Sequence, residues 1–103
     1  MIRHIFMFRF KPEATEQQKN DFAAEMNALK GKIPGVINLH AGKNLQWSSD
    51  KTDMIVIADL PDRKAWDAYL CHPLHLELGN RYFPLFDTDS INGIQLSYDE
   101  QES

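Results

Sequence analysis

The first ten residues alternate between two faces with a period of two, which is the pattern of a β-strand. One face carries His4 together with Phe6, Phe8 and Phe10. The other face carries Ile5 and Met7 between Arg3 and Arg9. The predicted strand, Ile2 to Phe10, therefore has apolar side chains to bury on both sides, and Pro12 closes it.

A helix is predicted after this strand. Thr15 and Gln18 have the three-residue spacing of a capping box, which marks a helix start. Phe22 and Met26 then recur at helical spacing. Gly31 is expected to end the helix.

Three more strands are predicted farther along the chain. The pair Pro34 and Gly35 marks a turn before a second strand, Val36 to Leu45. Met54 to Leu60 is almost continuously apolar, which favours a central strand buried on both sides. Ile91 to Tyr98 is expected to be the last strand.

A second helix is predicted to begin at Asp62 and to break at Pro73. Trp66 and Tyr69 belong to its apolar stripe. Proline disfavours helical geometry at the residue before it, so the helix should end or kink at His72. Pro73 itself fits the first turn of a new helix.

This new helical piece carries the second histidine of interest. His75 shares a face with Leu78, Gly79 and Tyr82 at helical spacing. Pro84 is expected to limit the helix.

The order strand, helix, strand, strand, broken helix, strand predicts an α+β protein with the ferredoxin-like split β-α-β fold. One domain, 1–103, would carry an antiparallel four-stranded sheet with helices on one face only. Ile5, Met7, Ile55 and Ile57 would then lie on the uncovered face. Because such a patch needs a cover, we expect a homodimer in which two sheets pack face to face.

Composition and charge exclude several classes of protein. With 43% hydrophobic and 25% charged residues, the chain is expected to fold. A formal net charge of −4, without a cluster of Lys and Arg, argues against nucleic acid or a membrane surface as partner. Cys71 is the only cysteine and is expected to be a small buried residue. With neither a signal peptide nor a membrane span, the chain is expected to be cytoplasmic.

Four segments resemble the stress-responsive A/B barrel domain family of dimeric α+β barrel proteins. They are the opening 1–12 segment, the Lys-Ile-Pro-Gly-Val turn at 32–36, the 68–75 segment and the closing Ser-Tyr-Asp at 97–99. The most specific element is the His-Pro-x-His break at 72–75. The resemblance covers nearly the whole chain and implies a ferredoxin-like homodimer that forms a dimeric α+β barrel.

The resemblance also implies a site. The family includes a plant polyketide cyclase with an acid/base site between its sheet and helices, and its two histidines and tyrosine fall on His4, His75 and Tyr69. A further tyrosine of that cyclase falls on Met26, so the pocket here differs in polarity and shape. The expected pocket residues are Phe6, Phe22, Met26, Leu78 and Tyr82.

Two histidines and a tyrosine are suited to proton transfer, because imidazole titrates near neutral pH and a phenol donates to an oxyanion. In the enzymatic hypothesis, His75 removes a proton α to a carbonyl, Tyr69 polarises the oxygen and His4 orients or relays. No cofactor is required. Three classes remain open: an acid/base enzyme, a binding protein that uses the same pocket, and a structural or stress-protective dimer. A cofactor-free monooxygenase is the alternative within the enzyme class.

Other polar and aromatic residues receive simpler interpretations. His72 and His75 have a spacing that suits a metal on a regular helix, but Pro73 breaks that geometry, and a capping role for His72 is favoured over a metal site. Trp47 is expected to pack on the barrel rim or the dimer interface. Trp66, Leu70 and Phe83 are expected in the core or the interface.

Overall fold

A computed structural model describes residues 1–99 of the chain. The elements in chain order are β1 (Ile2–Phe10), α1 (Glu16–Ala28), β2 (Asn38–Lys43), β3 (Met54–Leu60), α2 (Arg63–Cys71), α3 (Pro73–Tyr82), a turn of 3-10 helix (Phe83–Leu85) and β4 (Phe86–Ser97). The strands form an antiparallel sheet in the order β2-β3-β1-β4, with the helices on one face. This confirms the predicted α+β, split β-α-β arrangement.

The helix α1 begins and ends as its sequence predicts. The Thr15 hydroxyl accepts from the Gln18 N–H, and the Gln18 side chain accepts from the Thr15 N–H, which completes the capping box. Phe22 and Met26 are buried against the sheet. Gly31, with φ +80, follows the end of the helix in the left-handed region that glycine adopts without strain.

The break between α2 and α3 lies at His72, as predicted. His72 has an extended backbone with ψ 136, and its Nδ1 accepts from the Leu74 N–H, so it caps α3. Pro73 occupies the first turn, where a missing N–H leaves no bond unmade. The break changes the chain direction, and it brings the Tyr69 ring of α2 to 4.6 Å from the His75 ring of α3.

The core lies between the helices and the helix-facing side of the sheet. Phe8 is fully buried, and its ring centroid is 3.9 Å from that of Phe86 and 5.5 Å from that of Phe22. These rings pack in tilted and edge-to-face geometries, which stabilise aromatic clusters beyond the area they bury. His4 lies on the same face of β1, at the other end of the strand.

An apolar row crosses the opposite face of the sheet. Ile5 of β1 pairs with Ile57 of β3 on one side and with Ile94 of β4 on the other. Ile94 is 51% exposed and Leu96 is 46% exposed. We call this face, with its Ile5, Met7, Ile55, Ile57, Ile94 and Leu96, the open face.

An ion pair between Arg3 and Asp59 lies at one end of the open face. Asp59 is 2% exposed, and both of its carboxylate oxygens accept from the Arg3 guanidinium, at 2.8 and 3.0 Å. These hydrogen bonds hold the pKa of Asp59 below its ordinary value. A carboxylate as buried as this one needs such a partner.

Two strand boundaries differ from their predictions. β4 begins at Phe86, five positions before the predicted Ile91, because polar residues 87–90 are tolerated on a strand at the edge of the sheet. There the Ser90 hydroxyl accepts from the Arg9 N–H, where the β1–β4 register shifts. β2 is shorter than predicted, at Asn38–Lys43.

The prediction that Cys71 is buried is wrong, because Cys71 is exposed. It is the last residue of α2, on the side of the helix that faces away from the sheet. Within residues 1–99, no helix has the length and apolar character that crossing a membrane requires.

Candidate functional site

A cavity of about 270 Å³ lies between the helices and the sheet. Every layer of the fold contributes to its lining: His4 and Phe6 from β1, Val56 from β3, Phe86 from β4, Phe22 and Met26 from α1, Tyr69 and Leu70 from α2, His75, Leu76, Leu78, Gly79 and Asn80 from α3, and Phe83 from the 3-10 turn. No Asp, Glu, Lys or Arg belongs to this described lining. The cavity is therefore apolar, with a few neutral polar groups.

The structure brings the three sequence-predicted site residues together. His4, Tyr69 and His75 all line the cavity. The Tyr69 ring contacts both imidazoles, with its centroid 6.3 Å from that of His4 and 4.6 Å from that of His75. Because β1, α2 and α3 each supply one residue, the cluster exists only in the folded chain.

Four of the five predicted pocket residues also line the cavity, and the fifth does not. Phe6, Phe22, Met26 and Leu78 are part of the lining. Tyr82 is buried outside it, and its hydroxyl donates to the Glu25 carboxylate on α1.

The mouth of the cavity has an apolar rim. Leu76 is 48% exposed and Phe83 is 52% exposed, although both line the cavity. Side chains that contact both the cavity and water mark the opening of the cavity to solvent. Leu70 also lines the cavity, so two residues expected only in the core or interface, Leu70 and Phe83, contribute to the site.

His4 is anchored by two neighbours that sequence reasoning did not connect to it. It is 6% exposed, and its Nδ1 accepts from the Trp66 indole N–H at 3.2 Å. The side-chain nitrogen of Gln95 lies 3.0 Å from the same Nδ1. Sequence separations of 62 and 91 residues hide these contacts. Gln95 pairs with His4 in the β1–β4 register, so the two side chains lie on the same face of the sheet. The alternation of side chains along β4 is therefore the one local signal that could have indicated a contact.

His75 has a polar atom that the protein leaves unsatisfied. Its Nδ1 is buried and makes no hydrogen bond of ordinary geometry within the described residues, although the Leu70 backbone lies close enough to raise the pKa of the ring. An unpaired buried polar atom costs about 1–3 kcal/mol, so native structures rarely keep one without a role. Because His75 lines the cavity, a bound ligand is one way to satisfy this atom.

Burial sets the protonation of the cluster. It lowers the pKa of His4, with a smaller contribution from the neighbouring His75. It also lowers the pKa of His75, an effect that the Leu70 carbonyl opposes and His72 reinforces. Burial raises the pKa of Tyr69 to about 12. At neutral pH both imidazoles are therefore mainly uncharged and the phenol keeps its proton.

The remaining candidates lie away from the cavity. Trp47 is 89% exposed in the loop before β3, so its side chain makes little contact within the described chain. His72 caps α3 as expected. Among residues 1–99, no group of three or more His, Cys, Asp and Glu side chains is placed to hold a metal ion.

The lowered histidine pKa values predict a pH dependence of stability. The folded protein binds protons at His4 and His75 less readily than the unfolded chain does, whose histidines titrate near pH 6.5. The stability from these neutral histidines is complete above about pH 6.5 and is lost as pH falls toward the folded values. We expect the free energy of unfolding in urea, at fixed protein concentration, to fall between about pH 7 and pH 5.

The variant His75→Gln tests the origin of this slope. This variant removes one of the two histidines with a lowered pKa, so its free energy of unfolding should fall less steeply over the same pH interval. If both His75→Gln and His4→Gln kept the wild-type dependence of the free energy of unfolding on pH, the assignment of that dependence to these two histidines would be wrong.

The sequence matches the family described as the stress responsive A/B barrel domain over residues 2–91. Among characterised proteins, the chain is similar to olivetolic acid cyclase from Cannabis sativa. The two are 26% identical over 83 residues, which are 79% of this chain and 82% of the cyclase.

Solved structures with the same fold include proteins with and without a known activity. A dimeric ferredoxin-like protein of unknown function from Thermobifida fusca YX is 27% identical, with a TM-score of 0.84 over 94% of this chain and 90% of that one. The hydroxynitrile lyase of Passiflora edulis is 18% identical, with a TM-score of 0.80 over 96% and 94% of the two chains. With its ferredoxin-like fold and a family match over residues 2–91, this chain belongs to the stress responsive A/B barrel domain family.

Proposed function

We propose that the cavity binds a small carbonyl or phenolic compound and that His4, Tyr69 and His75 catalyse its enolisation. The observation that carries this proposal is the convergence of these three side chains on one apolar cavity, where burial keeps both imidazoles neutral. A neutral imidazole is a general base near neutral pH, and a protonated phenol is a hydrogen-bond donor. The protein's own side chains thus supply the acid and the base.

The cavity limits the size of the ligand. Benzene occupies an engineered cavity of about 150 Å³, so by proportion a cavity of about 270 Å³ accepts a body of roughly ten non-hydrogen atoms. This is the size of an aromatic ring with a short substituent. A longer chain would extend through the mouth beside Leu76 and Phe83.

The cavity also limits the charge of the buried part of the ligand. Moving an ionised group out of water is unfavourable without a charged partner, and the described lining contains no charged side chain. The ligand should therefore place an uncharged ring and carbonyl or phenol inside. Any carboxylate that it carries would remain at the mouth, in water.

The proposed reaction assigns one role to each of the three polar side chains. His75 takes a proton from the carbon α to the carbonyl, and the C–H electron pair moves into the new carbon–carbon double bond while the carbonyl oxygen gains charge. Tyr69 and His4 donate hydrogen bonds to that oxygen and stabilise the enolate. Return of the proton from His75 to another atom completes an isomerisation. Alternatively, the enolate carbon attacks a second carbonyl and closes a ring, and the oxygen of that carbonyl, which becomes an alkoxide, takes the proton from His75.

The similarity to olivetolic acid cyclase supports a ring-forming or isomerising reaction on a small organic compound. The site residues implied by the family resemblance are present here as His4, Tyr69 and His75. Met26 stands where the resemblance places a further tyrosine, so this cavity lacks one donor and is more apolar. The substrate is therefore expected to be less hydroxylated than that of the cyclase.

Proton exchange provides a test that does not require the natural substrate. β-Tetralone is a neutral ketone of suitable size with acidic α-protons, and NMR in D2O follows their replacement by deuterium. We expect the wild-type protein to bind it saturably and to accelerate exchange. General-base catalysis is worth about 10²- to 10⁴-fold, so His75→Gln should reduce the exchange rate by that factor. Tyr69→Phe should reduce it less.

The chain offers a matched control for each variant. Tyr82→Phe changes a second buried tyrosine, also with a pKa raised to about 12, that lies outside the cavity lining. His72→Asn changes the neighbouring histidine and keeps a side-chain cap for α3. Tyr82→Phe should exchange at the wild-type rate, and His72→Asn close to it, because His72 makes the smallest of the contributions to the pKa of His75. Saturable binding without exchange would contradict catalysis and support a binding protein. If no member of a panel of aryl ketones and phenols bound, both catalysis and ligand binding would be contradicted, and a structural role would be favoured.

We also propose that the chain is a homodimer in which two open faces pack together. Ile5, Ile57 and Ile94 form a continuous apolar row, and Ile94 and Leu96 are about half exposed in the single chain, at 51% and 46%. Burying them stabilises a dimer by about 25 cal/mol for each Å² of apolar surface removed from water. The description of the Thermobifida fusca relative as dimeric supports this assembly.

Changing the open face should dissociate the dimer. The wild-type chain is expected to sediment at twice 11.9 kDa in analytical ultracentrifugation. Ile94→Lys buries a charge without a partner and should shift the protein to the monomer mass at micromolar concentration. Leu74→Lys, at a position 39% exposed on α3, is the control and should stay dimeric. A wild-type monomer would contradict the proposal.

A further inference from the structure

The anchoring of His4 determines which of its nitrogens carries the proton. The Trp66 indole N–H donates to Nδ1 at 3.2 Å. An indole nitrogen can only donate, whereas each imidazole nitrogen accepts or donates according to its protonation. Nδ1 must therefore be the unprotonated nitrogen, and the proton of the neutral ring lies on Nε2.

The second neighbour agrees with this assignment. The side-chain nitrogen of Gln95 is 3.0 Å from the same Nδ1. Because Nδ1 already acts as an acceptor toward Trp66, Gln95 must present its NH2 group and not its carbonyl oxygen. The indole thus fixes the tautomer, and the tautomer fixes the orientation of the amide.

The two neighbours of the His4 ring come from different elements of the fold. Trp66 lies on α2 and Gln95 lies on β4, next to the strand that carries His4. The outer side of the indole is itself held, because the Arg63 guanidinium lies 5.0 Å from its ring centroid. Ile2, Arg63, Trp66 and Gln95 line a surface groove behind His4.

We propose that Trp66 is a positioning residue that holds His4 in the Nε2–H tautomer, with Gln95 as a second donor to the same Nδ1, so that the remaining nitrogen of His4 is a hydrogen-bond donor for the cavity ligand. The role of the ligand rests on the function proposed above. The tautomer rests on the contacts alone. Trp66 and Gln95 make no contact with the ligand in this scheme and act through His4.

This tautomer gives the two histidines different roles. His4 cannot accept a proton at Nδ1 without breaking both anchoring hydrogen bonds, and its Nε2 already has one. The base must therefore be His75, the other imidazole that lines the cavity. The ligand accordingly needs an acceptor oxygen near His4 and a transferable proton near His75, which fits an enolisable ketone.

Nitrogen NMR tests the tautomer without any ligand. In ¹⁵N-histidine-labelled protein at about pH 8, where the ring is neutral, long-range ¹H–¹⁵N spectra distinguish a bare ring nitrogen from a proton-bearing one. We expect a bare Nδ1 and a protonated Nε2 for wild-type His4. A protonated Nδ1 would overturn the proposal, whether or not any variant folds.

Two variants separate the contributions of the anchors. Trp66→Phe keeps an aromatic ring but removes the obligatory donor, so Gln95 is free to turn its carbonyl oxygen toward a protonated Nδ1. Since a net hydrogen bond is worth about 0.5–1.5 kcal/mol, the ratio of the two tautomers should move toward Nδ1–H by roughly two- to tenfold. Gln95→Leu retains the indole and should keep the wild-type tautomer. Trp47→Phe, at a tryptophan 89% exposed, is the matched control.

The outcomes distinguish this proposal from the proposed function. An unchanged His4 spectrum in Trp66→Phe would overturn the positioning role, even if β-tetralone exchanges rapidly. A shifted spectrum in a protein that does not exchange β-tetralone would support the positioning role and count against the enzymatic function. If both hold, the exchange rate of Trp66→Phe should fall with the fraction of Nε2–H tautomer, while the rate of Trp47→Phe does not change.

Discussion

The register of β1 between β3 and β4 is the constraint on which both surfaces of this molecule depend. Because side chains alternate along a strand, this register sends His4 and three phenylalanines toward the helices and sends Ile5 and Met7 to the open face. A shift by one residue would exchange these sets. It would expose the core aromatics and remove His4 from the cavity. The same nine-residue strand, Ile2–Phe10, therefore specifies the core, one catalytic candidate and the proposed dimer interface.

The break at His72 is the second constraint, and it converts one amphipathic segment into two walls of a cavity. An unbroken helix would place Tyr69 and His75 six positions apart, on different sides. With an extended residue between α2 and α3, both rings face the sheet and lie 4.6 Å apart. His72 caps α3 through its Nδ1, so the histidine of the break has a structural explanation. The proposed proton transfer is therefore assigned to His75.

Local patterns were sufficient to predict most of the elements. The alternation in β1, the capping box at Thr15 and the proline at position 73 each act within a few residues, and all three appear as predicted. The start of β4 was missed, because an edge strand has one unpaired side and tolerates polar residues that resemble a loop. The burial of Cys71 was also predicted wrongly. The residue type alone favours burial, but the packing of α2 decides which of its residues face the solvent.

The site was less predictable than the fold, because its contacts join distant parts of the chain. The family resemblance indicated His4, Tyr69 and His75, whereas Trp66 and Gln95 meet His4 only when α2 and β4 are in place. Tyr82 has the helical spacing of a pocket residue, yet its hydroxyl binds Glu25 and it lies outside the described lining. Spacing on one helix cannot reveal a partner on another.

Intermolecular NOEs test most directly whether His4, Tyr69 and His75 form one ligand site. With β-tetralone bound to isotope-labelled protein, filtered spectra report which side chains lie next to the ligand. We expect NOEs from the ligand to ring protons of His4, Tyr69 and His75, together with NOEs to the side chains of Phe22 and Leu78, which also line the cavity. Saturable binding with NOEs only to residues outside the cavity, or to one of the three alone, would contradict this expectation.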